Sequence, residues 1–370
     1  MKRNYLLPLF SLLALAAAPA FATWTVTSGL NEETLRVGDN FTATDGTWDL
    51  KFTRSGNGTY NCKNNSGTGG ATLDLTTFAA DMATAGVTWN GYAITVNSLN
   101  NEGFMNLSGL KTVRLPATVT TLSNQCLKGT GLEGDFVLPD SITSMGDAVF
   151  QNCTALTGFT VNENIKELKN TFYGCSSFVE VKIASGTTTL SGSPFRACPA
   201  LTTVYADAAD RAVGSVVLPA TVKSIPDNCF YDDTSIRRVV APGVTSIGER
   251  AFQNCTALEE VEFPALQQFS KTYAFSNCPS LRRVEIPLCT KLGQGTFQGC
   301  TALEEVLVSP ALNTFGTDCF RDCTSFKTLY TNEATKVVGH VQLPATFTGT
   351  FGNYAFYHTA IERIDAPGVT

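Results

Sequence analysis

Residues able to do chemistry are few in this 370-residue chain, and their spacing is unusual. Twelve cysteines offer thiolates, metal ligands or disulfides, and two histidines, His340 and His358, offer general bases. Asp207-x-x-Asp210 and Asp232-Asp233 are carboxylate pairs of the kind that hold cations. None of these groups assembles into a site by spacing. A nucleophile needs an oriented base, yet both histidines sit near the C-terminus, His358 in a slot that Asn254 fills elsewhere, and both read as solvated surface residues. Cys319-x-x-x-Cys323 lacks the second ligand pair of a zinc site. Neither aspartate pair has calcium-loop spacing, so both read as turn formers. No glycine-rich phosphate loop leads into a helical pattern. The chain reads as non-enzymatic, with no cofactor and no metal.

The cysteines have a different logic. Cys153, Cys175, Cys198, Cys255, Cys278, Cys300 and Cys323 occupy one position of a phrase that returns eleven times, clearest at Ala251-Phe252-Gln253-Asn254-Cys255-Thr256-Ala257-Leu258-Glu259-Glu260-Val261-Glu262-Phe263-Pro264. Leu107, Thr130, Asp233 and Thr359 hold the same position in the other units. Most steps are 22 or 23 residues, with two longer steps of 35 and 36. A unit that short cannot bury its apolar face alone and must stack on its neighbours, which is the signature of a solenoid. Cys126, Cys229 and Cys319 sit just before the repeated aromatic, where Ala251 stands in another unit. Exchange of Cys with Thr and Ala predicts small buried slots and unpaired thiols rather than obligatory bridges.

Within a unit, Leu258-x-x-Val261-x-Phe263 spaces a short strand whose apolar residues point inward, and Val244-x-x-Ile247 carries the chain back to the buried aromatic. Phenylalanine fills that aromatic slot in ten of the eleven units, Leu127 being the exception, and predicts a continuous ring spine. Residues 23–91 lack the phrase, carry Trp24, Trp48 and Trp89, and read as alternating strands with glycine-rich turns that cap the first coil. Residues 1–22 read as an export signal: Met1-Lys2-Arg3, an apolar stretch, then Ala20-Phe21-Ala22. Its removal leaves 24 basic against 32 acidic residues, a balance that disfavours nucleic-acid binding. No later segment approaches the roughly 18 apolar residues of a membrane helix.

The phrase Ala-Phe-x-x-Cys-x-x-Leu-x-x-Val-x-Phe-Pro, with Val-x-x-Ile-Gly, resembles the BspA-like leucine-rich repeats of bacterial surface proteins over about Tyr92 to Thr370. The resemblance implies a mainly β leucine-rich-repeat solenoid of about eleven coils, display at the bacterial surface or secretion, and adhesion to extracellular proteins or glycans. It brings no ligand and no binding residue, because the shared residues are the buried ones.

Binding is therefore sought on the outward strand positions. Arg237-Arg238, Glu259-Glu260, Arg282-Arg283 and Glu304-Glu305 alternate in sign from coil to coil and predict a cross-strand ion-pair ladder. Further along each strand, Tyr205, Glu262, Glu285, Leu307 and Tyr330 form the predicted partner-binding column, with exposed aromatic anchors among carboxylates. Two insertions of about 13 residues, after Tyr205 and Tyr330, are expected to emerge beside it as loops; Cys198 and Cys323 lie 125 residues apart, so a five-coil block is duplicated with its insertion. The alternative role is a passive spacer that displays a C-terminal module. Ala366-Pro367-Gly368-Val369-Thr370 repeats Ala241-Pro242-Gly243-Val244-Thr245 and then stops, an expectation of an incomplete last coil in a longer protein.

Overall fold

The computed structural model describes residues 23–366 apart from Glu32 and Ser270, so the expected export signal, residues 1–22, and the expected incomplete end at residues 367–370 lie outside the described residues. In the coil around Phe252 the chain runs up a back strand, Ser246–Ile247, turns through Arg250 and Asn254, and descends a front strand, Glu260–Glu262. Both turn residues take positive φ, +54° and +63°. The next coils do the same at Tyr273 and Asn277 and at Asp318 and Asp322. Asparagine and aspartate tolerate this conformation because their short polar side chains bond locally. Here they also bond between coils, Asn254 Nδ2 donating to Asp232 Oδ1 at 2.7 Å and Asn277 Nδ2 to Asn254 Oδ1 at 3.2 Å.

Every coil returns in the same sense, so its strands pair in parallel with those of the next. The front strands make a twelve-stranded parallel sheet from Gly134–Val137 to Arg363–Asp365, and six back strands pair from Ser224–Ile225 to Thr350–Phe351. Between the sheets runs the phenylalanine spine. Phe150, Phe172, Phe195, Phe230, Phe252, Phe275, Phe297, Phe320 and Phe356 stack in order, with centroids 5.0 to 6.3 Å apart and planes within 18° of parallel. Leu127 separates this stack from Phe104, which packs edge-on against Trp48 of the cap at 6.0 Å.

The cysteine column lies beside the rings. Cys278 Sγ donates to the Phe252 carbonyl of the preceding coil at 3.1 Å, and that carbonyl also accepts the Cys255 amide of its own coil at 3.2 Å. Cys153, Cys175, Cys198, Cys255, Cys300 and Cys323 repeat the thiol bond at 2.9 to 3.2 Å. All twelve thiols are buried and unbridged. Burial pushes the Cys153 thiol up to about 11 and those of Cys198 and Cys289 to about 12, the reverse of what a nucleophile needs.

The two insertions differ from the expected loops. Each adds a strand to the front sheet: Ser215–Val217 pairs directly with Thr203–Tyr205, and His340–Gln342 with Thr328–Tyr330, with no back strand between them. They are half-coils. Only the residues linking the paired strands are loop, and each link holds a short 3-10 turn, Ala208–Asp210 or Glu333–Thr335.

At the other end the cap pairs with the first coil on both faces. Thr59–Asn64 pairs in parallel with Thr95–Leu99 on the back, and Thr72–Asp74 with Thr112–Arg114 on the front. Trp24 and Trp48 are buried, their indole N–H groups donating to the Asp74 and Thr72 carbonyls at 3.2 and 2.7 Å. Gly69 must be glycine, because a Cβ there would meet the Trp48 ring at 2.0 Å. Trp89 stays half-buried under the Arg54 guanidinium. The cap also contains a helix, Phe78–Thr84, which the all-strand reading lacks; it turns Phe78 and Met82, four residues apart, into the core.

Phe252→Ala should lower unfolding stability by about 3 to 5 kcal/mol, and Phe252→Leu by less, since Leu127 fills the same slot; an unchanged urea midpoint for the alanine variant would refute the spine's role. Alkylation should label all twelve cysteines in denaturant and few of them in the native protein; recovered disulfides would contradict the column.

Asp233 breaks that column. It is buried, and the cost of desolvation raises its carboxyl from 3.8 to about 6, although the Ser235 and Ile236 amides donate to Oδ1 at 2.8 and 2.9 Å. With its folded value above its unfolded one, the native state takes up the proton first. Stability therefore rises as pH falls through 6 toward 4, by up to about 3 kcal/mol. Asp233→Asn keeps the acceptor oxygen and removes the charge, so it should be more stable at pH 7 and lack that rise. Parallel pH dependence of the two urea midpoints would exclude this account.

Candidate functional site

Outward side chains of the front sheet stand in columns because the strands are parallel and in register. Arg238, Glu260, Arg283 and Glu305 are successive partners in one column. The alternation expected from sequence is present: Arg237 to Glu259 at 3.5 Å, Arg238 to Glu260 at 3.9 Å, Arg283 to Glu305 at 3.6 Å and Lys327 to Glu304 at 3.9 Å. Arg238 also pairs with Glu262, and Arg283 with Glu285 at 2.9 Å, which ties this column to the next. Such exposed pairs contribute about 0 to 1 kcal/mol each and fix register more than stability.

In the neighbouring column Val240, Glu262, Glu285, Leu307 and Tyr330 are consecutive partners. Tyr205 occupies the corresponding position of its own strand, and Val217 and Val240 stand between it and Glu262. Glu262, Glu285 and Leu307 are half-exposed, as a contact surface requires.

Tyr330 departs from the expectation of an exposed anchor. It is fully buried. The link of the second half-coil folds back across the front sheet: Tyr330 Oη donates to Glu333 Oε1 at 2.7 Å, the Lys336 ammonium sits 4.7 Å from the ring centroid, and Arg283 reaches Glu333 at 2.5 Å. Burial, followed by the bond to Glu333, pushes the phenol well above its ordinary range. Tyr205 is half-buried in the same way, its Oη donating to Glu180 at 3.1 Å while Arg211 binds Glu180 at 2.8 Å. Its phenol is raised as well, by burial first. Both tyrosines are therefore clasps that hold a strap onto the sheet. No one-dimensional pattern announces this, because the strap returns over strands already passed.

The other polar candidates have structural partners. His340 is not on a loop but in the strand His340–Gln342, half-buried, with Nδ1 2.6 Å from Asp365 Oδ2. His358 takes the positive-φ slot at +55°, with Nδ1 3.0 Å from Asp322 Oδ1. Asp207 caps its 3-10 turn by accepting from the Ala209 amide. Among the described residues no group of three or more His, Cys, Asp or Glu side chains is placed to hold a metal.

A lateral ridge was missed by the sequence reading. The residue after each spine aromatic faces outward at the turn, and Tyr173, Arg196 and Tyr231 there form a sandwich, the guanidinium 5.8 and 5.3 Å from the two ring centroids. A cleft of about 400 Å³ opens beside it, and one of about 480 Å³ continues along Tyr231, Arg250 and Tyr273. The column was visible in the repeat, two residues before each cysteine, but its side chains vary from unit to unit and so carry no pattern.

Residues 89–208 and 223–341 match the BspA type leucine rich repeat region in six copies. A leucine-rich repeat protein from Bacteroides ovatus superposes with a TM-score of 0.55 at 17% identity, over 86% of this chain and 87% of its own. The pneumococcal vaccine antigen PcpA aligns at a TM-score of 0.46 and 15% identity, over 80% of this chain and 88% of its own. A leucine rich cell surface protein from Faecalibacterium prausnitzii aligns at 0.37 and 20%, over 78% and 94%. No curated protein sequence matches. With more than half of the chain matched and the same coil repeated through the structure, this protein belongs to the BspA-type leucine-rich-repeat family.

Proposed function

We propose that this is a non-enzymatic binding protein, exported from a bacterial cell to its surface or surroundings, which takes an extracellular protein or glycan on the front sheet. The observation that carries the reading is the half-exposed column of Glu262, Glu285 and Leu307, an apolar side chain set among carboxylates on a parallel sheet. Interfaces concentrate such mixtures around an apolar centre. The family supports it, since its repeats are scaffolds that present surfaces and no catalytic family is indicated. Export rests on the Met1–Ala22 pattern. Tyr205 and Tyr330 shape this face by anchoring its straps, and direct contact falls to the column between them.

Arrays of extracellular-matrix proteins and glycans should identify a ligand. The double variant Glu262→Lys, Glu285→Lys should then weaken binding at least about tenfold, or about 1.4 kcal/mol, with little change in melting temperature. Gln268→Lys on an exposed back-strand position should leave affinity unchanged. Equal losses from the front and back substitutions would remove the front sheet as the binding face.

A further inference from the structure

The duplicated block gives two copies of one strap site, and comparison of the copies shows something missing from the first. Glu180, Tyr205 and Arg211 stand 125 positions before Glu305, Tyr330 and Lys336. Both copies build the same clasp: Arg211 binds Glu180, and Lys336 binds Glu305. In the second copy a further cation completes it. The Arg283 guanidinium lies across the sheet in register with Glu260 on one side and Glu305 on the other, and it ion-pairs with Glu305, Glu285 and Glu333 while reaching the Tyr330 hydroxyl at 3.5 Å.

In the first copy the position of Arg283 is taken by Gly158, in register with Asp135 and Glu180. Strands spaced about 4.8 Å apart leave the two carboxylate-bearing backbones about 10 Å apart; Gly158 puts no side chain of its own between them, and the Asp135 carboxylate leans over it, Oδ1 2.5 Å from where a Cβ would stand. The result is a hollow of about 240 Å³ over Gly158, walled by Asp135, Thr157, Thr160, Glu180 and Arg211. Val113 stands where the second copy has Arg238, and among the described residues Asp135 forms no ion pair; its carboxylate accepts only the Thr157 hydroxyl, at 2.9 Å. Thr160 and Ala208 replace Glu285 and Glu333, so the carboxylates available to a newcomer are Asp135 and Glu180.

We infer that this hollow is a socket for an arginine side chain presented by a protein partner, which takes in trans the place that Arg283 takes in cis. The second copy shows that the clasp accommodates a guanidinium beside the strap cation, since Lys336 and Arg283 share Glu305. A planar fork suits two flanking carboxylates better than an ammonium does, because it can donate to both at once. The socket rests on the reading of the front sheet as the binding face and names the chemistry of one contact on it.

The test needs no identified partner. N-acetyl-arginine amide, titrated at low ionic strength into isotope-labelled full-length protein, should shift the amide signals of Gly158 and Thr160, and it should bind at least tenfold more tightly than the neutral isostere N-acetyl-citrulline amide. Gly158→Arg supplies the side chain in cis and should abolish those shifts. The backbone there is not in the left-handed region, and a Cβ would meet first the movable Asp135 carboxylate, so the substitution is compatible with the fold. Asp135→Asn keeps a side-chain oxygen to accept from Thr157 and should weaken binding several-fold even if the arginine variant does not fold. Equal response to the arginine and citrulline amides, or arginine shifts that persist in a folded Gly158→Arg protein, would overturn the socket. That outcome leaves the front-sheet reading to its own charge-reversal test.

Discussion

The structure depends on the fit of each coil to the next at one strand spacing, about 4.8 Å. No coil has a core of its own: Phe252 is covered by Phe230 and Phe275, each about 5 Å away, and its carbonyl is held by a thiol from the coil above. The rings do not stack as face-to-face sandwiches, the less favoured geometry, because their centroids lie 5.0 to 6.3 Å apart, more than that spacing. They are offset, and the offset repeats because the backbone around them repeats. The small residue at Cys255 is set in the same repeating frame, fully buried in a column that seven coils fill with cysteine. A thiol satisfies size and hydrogen bonding together: it is apolar enough to pack against phenylalanine, and it has one donor for a carbonyl that would otherwise hold only its own coil. Threonine at Thr130 solves the problem differently, turning its hydroxyl to the Leu127 carbonyl of its own coil at 2.7 Å. Asp233 solves it at a cost, exchanging the donor for an acceptor that must be desolvated.

Inward positions were therefore legible in the sequence. The cysteine and phenylalanine columns, the front strand at Leu258-x-x-Val261-x-Phe263 and the sign alternation from Arg238 to Glu305 each repeat at the coil length, and each is present. What escaped was whatever depends on the third dimension without repeating. The helix Phe78–Thr84 offers only Phe78 and Met82 as inward residues, too few to show a period. Tyr330 reads as exposed because its position in the strand is outward; it is buried because residues 331–339 fold back over it. His340 reads as loop because its segment breaks the period, and it is strand because half a coil is enough to supply a front strand.

The half-coils change what the front sheet can present. Each contributes a front strand without a back strand, so the link between the paired strands has no route across the back and must lie over the front. Polar turn residues keep that link in place: Asp207 and Asn332 accept from the Ala209 and Ala334 amides, and Arg211 and Lys336 reach back two strands to a glutamate. The straps thus divide an otherwise uniform sheet into bounded areas, with the Glu262, Glu285 and Leu307 column between them.

Duplication then separates what stacking demands from what it leaves open. Glu180 and Glu305, Tyr205 and Tyr330, and the strap cations agree between the copies, as a clasp that holds its own chain must. Gly158 and Arg283 disagree, although both lie on well-paired strands and neither points into the core. Loss of an exposed side chain from a strand is unfavourable for backbone entropy and returns nothing in packing. A glycine there is therefore explained neither by the coil nor by the sheet, which carries arginine at the same place further along, at Arg238 and Arg283. It is explained by room: Gly158 lets the Asp135 carboxylate lean over the backbone toward the strand of Glu180, into the place that the second copy fills with an arginine.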